Sequence, residues 1–263
     1  MNKEYQELSA TLRDKLKLCE KRGISTHSGF LSPAEVNDAE SFCIAQKAYF
    51  MLDGGYEDAE RRICIFLPEP DEESKFSSKR EKDSFSPADN DTLAVIRIEA
   101  PKHGRELTHR DYLGAMLGLG LQRSVIGDII VREGGADAVV LKEMAEFFEL
   151  NLTGVGRSEV SVSVCGRDVL KTAEQRTETI RDTVASLRLD SICASAFRLA
   201  RGKAQEAIHQ GLVSINGRQC LKPDAEVSEK DRISFRGKGK VILSEIGNRT
   251  RKDRIAVIIE RLK

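Results

Sequence analysis

Of the residue types able to do chemistry, cysteine and histidine are spaced against it. Cys19, Cys43, Cys64, Cys165, Cys193 and Cys220 never come closer than 21 positions. No CxxC pair exists to start a zinc or redox site, and the thiols read as small buried hydrophobes. His27, His103, His109 and His209 lack the i, i+4 spacing that sets two imidazoles on one helix face. No metal is expected. Gly118-Leu119-Gly120 is a fragment of a dinucleotide fingerprint, but position 123 is Arg and the segment ends a helix instead of opening one. No cofactor is expected and no catalytic residue is assigned; an acid or base role for His109 lacks a partner.

The chemistry that remains is that of cations. Lys plus Arg number 42 against 42 Asp plus Glu, a balance that conceals an asymmetry. From Leu187 to Lys263 there are 17 basic and 9 acidic residues, 17 − 9 = +8, which leaves −8 for residues 1–186. A basic end on an acidic body points to a localised polyanion-binding surface, with a solvated charged face as the structural alternative. The 40% hydrophobic and 32% charged content fits a globular protein, and no apolar run is long enough to span a bilayer. Residues 1–23 lack the apolar core of a secretory signal, so the expected location is the cytoplasm.

The elements that must position these cations follow from periodicity. In Lys3–Arg22, Tyr5, Leu8, Leu12, Leu16 and Cys19 recur at helical steps before Gly23. Ser32-Pro33-Ala34-Glu35 opens a second helix with a capping box and proline at its first position, and its apolar residues run through Tyr49 and Phe50 to Gly54-Gly55. Residues 61–67 and 92–99 are strand-like, separated by a polar loop at 69–91 that is expected to be mobile. From residue 92 to 165 the order is βαββαβ, which suits a four-stranded antiparallel sheet backed by two helices, the ferredoxin-like arrangement that RRM-type RNA binders share with unrelated proteins. The strands lack the exposed aromatics with which an RRM reads bases, so a scaffold or protein-contact role is expected. Residues 171–186 read as a linker helix. Arg188–Ala200 is an amphipathic helix, Arg201–Gly211 a second, and Leu212–Ile215 a strand entering an Asn216-Gly217 turn, with a return strand at Arg232–Arg236.

The string RLDSICASAFRLARGKAQEAIHQGLVSINGRQCLKPDAEVSEKDRISF resembles the S4 RNA-binding domain over nearly its whole length. The resemblance implies binding to structured RNA, with Arg188, Arg201 and Lys203 where S4 domains meet phosphates. Arg198, Gln205, His209, Gln210, Asn216, Arg218, Lys222, Arg236, Lys238 and Lys240 complete the candidate surface. The family usually has Ser where this chain has Ala200, a lost cap that costs about 1 kcal/mol. RLD also resembles the catalytic aspartate motif of pseudouridine synthases. Here it opens the S4 helix and only 16 residues follow Gly247, so Asp190 is read as a local partner of basic side chains.

LTHRDYLGAMLGLGLQRSVIGDIIV, residues 107–131, is similar to the signature of YlmH-type proteins, and the RGKGK of residues 236–240 fits the same family. That resemblance implies a cytoplasmic bacterial factor linked to cell division and to large ribosomal subunits carrying peptidyl-tRNA. Its expected partners are structured RNA (rRNA and tRNA) and the large ribosomal subunit, without a membrane. Thr108 and Asp111 make a capping-box pattern, which leaves His109 and Arg110 on an exposed first turn as further contact candidates. The expected class is α+β: a helical segment at 1–58, an RRM-like (ferredoxin-like) domain at 59–170, the linker helix at 171–186, and an S4 domain with a C-terminal hairpin at 187–263. An RNA-modifying enzyme with an appended S4 domain and a cell-division adaptor are the rival readings.

Overall fold

A computed structural model describes residues 3–57, 59–68, 91–101, 105–172, 177–250 and 253–262. The chain divides into two units, Met1–Ala173 and Glu174–Lys263. In the first, α1 (Lys3–Arg22) buries Leu12, Leu16 and Cys19 and stops at Gly23, whose φ of +64° suits glycine. Strand β1 (Thr26–His27) precedes α2 (Pro33–Gln46), where Glu35 and Ser32 form the reciprocal cap. The helix ends at Lys47 in the left-handed region, short of the expected Gly54-Gly55. Residues 50–53 are instead strand β2 (Phe50–Asp53), paired with β3 (Ile63–Phe66) in a sheet ordered β1-β3-β2. Helical and strand periods are ambiguous over so short an apolar run, and pairing with β3 decides it. The expected helical segment is therefore a mixed layer, and the strand assigned to the middle domain belongs to it.

Strand β4 (Leu93–Glu99) and α3 (His109–Gly118) lead into β5 (Ile126–Arg132), β6 (Gly135–Leu141) and α4 (Lys142–Asn151). A two-residue-per-strand hairpin, β7 (Gly154–Val155) with β8 (Ser158–Glu159), precedes β9 (Ser161–Cys165). The sheet is antiparallel throughout and ordered β5-β6-β4-β9. Its alternation buries both faces. Ile96, Ile98, Ala136, Ala138 and Val140 pack under Tyr112, Met116, Ala145 and Phe148 of the helices. On the opposite face Leu93, Val95, Val139 and Leu141 pack against Phe30, Ile63, Ile65 and Leu170, so the three-stranded sheet lies on that side of the four-stranded one.

A polar seam fixes the two sheets. Arg61 donates to the carbonyls of Phe30 (2.8 Å) and Ile126 (3.2 Å), Arg123 donates to Gly127 (3.1 Å), and Asp128 accepts from Tyr56 (2.9 Å) and the Glu60 amide (2.6 Å). Burial, and then the charge of Arg61, pull the Arg123 pKa down to about 10. The loop expected at 69–91 lies outside the described residues except Asp91.

The second unit departs from expectation at its start. Where residues 171–186 read as a helix, the described residues 177–184 form strand β10 (Thr177–Val184), preceded by a 3-10 turn over Arg167–Thr172. Five of the eight β10 residues are β-branched, and all eight pair with β15 (Ile255–Leu262). Ile180 and Val184, four apart, satisfy a helical period as readily as a strand period. Helices α5 (Leu189–Ala196) and α6 (Arg201–His209) follow; α5 is shorter than expected because Phe197 caps it and Arg198 turns left-handed. Strands β11 (Val213–Ile215), β12 (Arg218–Gln219), β13 (Arg232–Phe235), β14 (Gly239–Arg249) and β15 complete a six-stranded sheet ordered β10-β15-β14-β13-β11-β12. Leu189, Ile192, Cys193, Ala204 and Ile208 of the helices meet Val213, Ile233, Val241 and Ile259 in its core.

Candidate nucleic-acid interface

The cations of the second unit are organised by a carboxylate. Asp190 is the second residue of α5 and is completely buried. An isolated carboxylate cannot remain charged there, so it must be paired. The paired helix α6 supplies the partners. Arg201 grips it with two bonds, Nε to Oδ2 at 2.9 Å and Nη2 to Oδ1 at 3.2 Å, while Gln205, one turn on, donates Nε2 to Oδ2 at 2.7 Å. Arg188, just before α5, places Nε 3.6 Å from Oδ1. Burial pushes the Asp190 carboxyl up, but the hydrogen bonds from Arg201 and Gln205 and the charges of Arg201 and Arg188 outweigh it and hold the pKa below the ordinary carboxylate range.

What distinguishes this cluster from an internal salt bridge is its unequal exposure. Asp190 is 0% exposed, whereas the side chains of Arg188 and Arg201 are 44% and 49% exposed. Arg201 turns one edge of its guanidinium to the anchor, Arg188 is drawn beside it by charge, and both keep surface for solvent. Two cations fixed around one carboxylate form a pre-oriented fork for an anion with several acceptor oxygens, such as a phosphate.

The remaining candidates fall into three groups. Lys203, His209 and Gln210 are exposed on α6, the last donating to Glu206 at 3.2 Å. Arg218 and Lys222 are exposed beyond the β11 turn; Arg236 and Lys238 form the β13–β14 turn, with Lys238 5.9 Å above the Phe235 ring, and Lys240 follows. Arg198 is exposed, 4.0 Å from Glu178 of β10. Asn216 serves the fold. Its amide donates to Asp231 at 2.7 Å and accepts from the Arg232 amide at 2.9 Å, and with Gly217 it supplies the two positive φ angles of the turn. Ala200 precedes α6 without a side-chain cap.

His109 and Arg110 lie in the other unit, exposed on the first turn of α3. Asp111 accepts from both the amide and the hydroxyl of Thr108, at 2.8 and 2.7 Å, which makes that turn a helix start. The outer part of the four-stranded sheet is charge-compensated: Arg97 and Arg132 both bond Asp137, and Arg132 also pairs with Glu99. Sequence reasoning misses Arg181, exposed on β10, because its segment reads as a helix. It also misses the link from Gln205 to Asp190, although the 15-residue separation across two helices that pair by their faces is compatible with it. Among the described residues no group of three or more His, Cys, Asp or Glu side chains could hold a metal, and no helix is long and apolar enough to cross a membrane.

Comparison with known proteins places both units in described families. Residues 187–233 match the family model described as "S4 domain", and residues 87–167 match "Putative RNA-binding domain in YlmH". The ribosome-associated protein quality control protein P2 of Bacillus subtilis (strain 168) is 35% identical over 212 residues, 80% of this chain and 77% of that protein. A solved structure, the cell division protein ylmH from Streptococcus pneumoniae, is 19% identical with a TM-score of 0.47, covering 63% of this chain and 93% of that one. With the identity to the B. subtilis protein running over most of both chains, and an S4 domain where the Asp190 cluster lies, the chain belongs to the YlmH family of S4-domain proteins.

Proposed function

We propose that the protein is a noncatalytic RNA-binding factor of ribosome-associated quality control, docking through its S4 domain on structured rRNA of the large ribosomal subunit next to a bound tRNA. The observation that carries this reading is the half-exposed Arg188 and Arg201 pair anchored on the buried Asp190, with Lys203 exposed on the same helix as Arg201 and the Arg236 to Lys240 turn as a second cationic element. Folded RNA presents phosphates at fixed spacings, and pre-oriented cations exploit that regularity at low entropic cost. The B. subtilis relative, named for ribosome-associated quality control, supports the ribosomal setting; the large subunit and the tRNA come from the family resemblance. The cytoplasm is the compartment this role requires.

The middle domain is of RRM-like, ferredoxin-like type in this reading, supported by its βαββαβ order and its β5-β6-β4-β9 sheet. It acts as a scaffold. The centre of the face an RRM offers to bases is covered, since Val95 and Val139 are buried beneath Phe30, Ile63 and Ile65, and Arg97 farther along it is neutralised by Asp137. The test is to fractionate ribosomes on a gradient and compare large subunits with and without peptidyl-tRNA, alongside nucleoside analysis of rRNA from a deletion strain. Cosedimentation with tRNA-bearing large subunits is expected. Equal presence in all fractions at moderate salt would refute the ribosomal role, and a missing modified nucleoside would establish an enzyme instead.

A further inference from the structure

Helix α4 carries an apolar stripe turned away from its own core. Its inner side, Ala145, Phe148 and the following Leu152, is buried over the four-stranded sheet. At about 100° per residue, the opposite side of the helix is made by Glu143, Glu146, Phe147 and Leu150. All four are exposed, Leu150 at 69% and Phe147 at 37%. Each apolar residue has a glutamate four positions before it, so the carboxylates flank the stripe within one turn. Glu149 turns sideways to accept the Val164 amide at 3.3 Å on β9, the edge strand, where the Val164 side chain is itself exposed. The helix's single cation, Lys142, pairs with Asp91.

We propose that this face of α4 is a docking surface for a basic protein segment that seats apolar side chains on Phe147 and Leu150 and its cations on Glu143 and Glu146. Charge selects this occupant. RNA and an anionic membrane would be repelled by the glutamates, as by the −8 of residues 1–186. A second copy docked by the same face would bring two more glutamates and no unpaired cation of α4 into the seam, since Lys142 is engaged by Asp91. Leu150, 69% exposed, is surplus to the packing of α4, while Phe147, 37% exposed, leans edge-on against the buried Phe148 and offers its outer side.

The proposal is tested on the full chain with a synthetic amphipathic helix about four turns long, leucines on one side, lysines on the other and one tryptophan as reporter. Binding is read by fluorescence anisotropy at moderate salt, and amide NMR shifts map the contact on the unaltered protein. Expected results are an affinity loss of about ten-fold or more for the Phe147→Ser/Leu150→Ser double variant, a comparable loss for Glu143→Lys/Glu146→Lys, no binding by a peptide with glutamate for lysine, and shifts centred on residues 143–150. Unchanged affinity in either double variant, or shifts centred elsewhere, would overturn the proposal. Sedimentation as a dimer that Phe147→Ser/Leu150→Ser dissociates would overturn it in favour of a second copy.

Discussion

Replacing Asp190 by asparagine makes the S4 unit more positive, and on charge alone RNA affinity should rise. The geometry argues for the opposite. Asp190 holds Arg201 by two bonds and Gln205 by one, and it attracts Arg188 at 3.6 Å. Asn keeps the shape but loses the charge, and its NH2 end can only donate where Arg201 and Gln205 also donate. Both arginines then regain rotamer freedom that must be lost again on binding, about 0.5–1.5 kcal/mol for each side chain immobilised. For two arginines the loss is about 1–3 kcal/mol, or roughly five- to 150-fold in Kd. The gain from one additional positive charge at a solvated surface is smaller, about 1 kcal/mol or less. Structured-RNA affinity is measured by filter binding across a salt series, with circular dichroism to establish that the variant is folded. A change in the slope of log affinity against log salt, by about 0.7–0.9 for each phosphate no longer neutralised, separates positioning from a uniform loss of folded protein. Equal or tighter binding by folded Asp190→Asn would refute the reasoning.

Other outcomes follow from the same geometry. Arg201→Ala should lower the stability of the S4 unit by about 2 kcal/mol, because it strands a buried carboxylate whose arginine partner is half solvated; thermal melting would show a clear drop, and an unchanged melt would mean the pair is structurally idle. Arg201 is thus expected to serve the fold as well as the candidate RNA surface. Asp190 has a folded pKa below its unfolded value, so its stabilisation is present above about pH 4 and is lost as pH falls through the folded pKa. Acid titration of Asp190→Asn should lack that component. Asn216→Ala should cost about 1–2 kcal/mol by releasing Asp231 and the Arg232 amide and by placing Ala at φ 50°, with RNA affinity of the folded protein preserved.

Local signals are most readable where one element settles its own conformation. The capping box at Ser32, the Asn216-Gly217 turn and the helical stripes of α5 and α6 each carry their instruction within a few residues, and the structure follows them. Elements that take their identity from a distant partner are not legible in this way. Phe50–Asp53 is a strand because β3 lies beside it, and Thr177–Val184 because β15, some 70 residues later, offers a ladder. The same division runs through the site. The identities of Arg188, Arg201 and Lys203 are legible as exposed cations at helix starts, while the geometry that gives the first two a direction depends on Asp190 being fully enclosed. Enclosure is a property of packing that no spacing encodes.

That long-range pairing also decides where the RNA-binding fragment must begin. A fragment starting at Leu187 matches the basic stretch but omits β10, leaving one side of β15 as an open sheet edge along its whole length. It would also remove Val184 and Ile180 from the core, delete the Asp182 partner of Ser195 (2.5 Å), and release Arg254 from the Thr183 hydroxyl (2.9 Å). Apolar burial alone puts the cost at about 2–4 kcal/mol, a large part of the stability of so small a unit. Glu174–Lys263 should therefore fold and keep the RNA affinity and salt slope of the whole chain, whereas Leu187–Lys263 should melt earlier or aggregate. The complementary fragment Met1–Ala173 should bind RNA weakly, because uncovering its sheet platform would expose Phe30, Ile63, Ile65, Leu93, Val95, Val139, Leu141 and Leu170 together. At about 1.5–3 kcal/mol for each large side chain, that exceeds what RNA binding could return. Melting curves and salt-dependent binding of the three fragments decide the matter: equal stability of the two C-terminal fragments would make β10 dispensable, and tight RNA binding by Met1–Ala173 would move the interface out of the S4 unit.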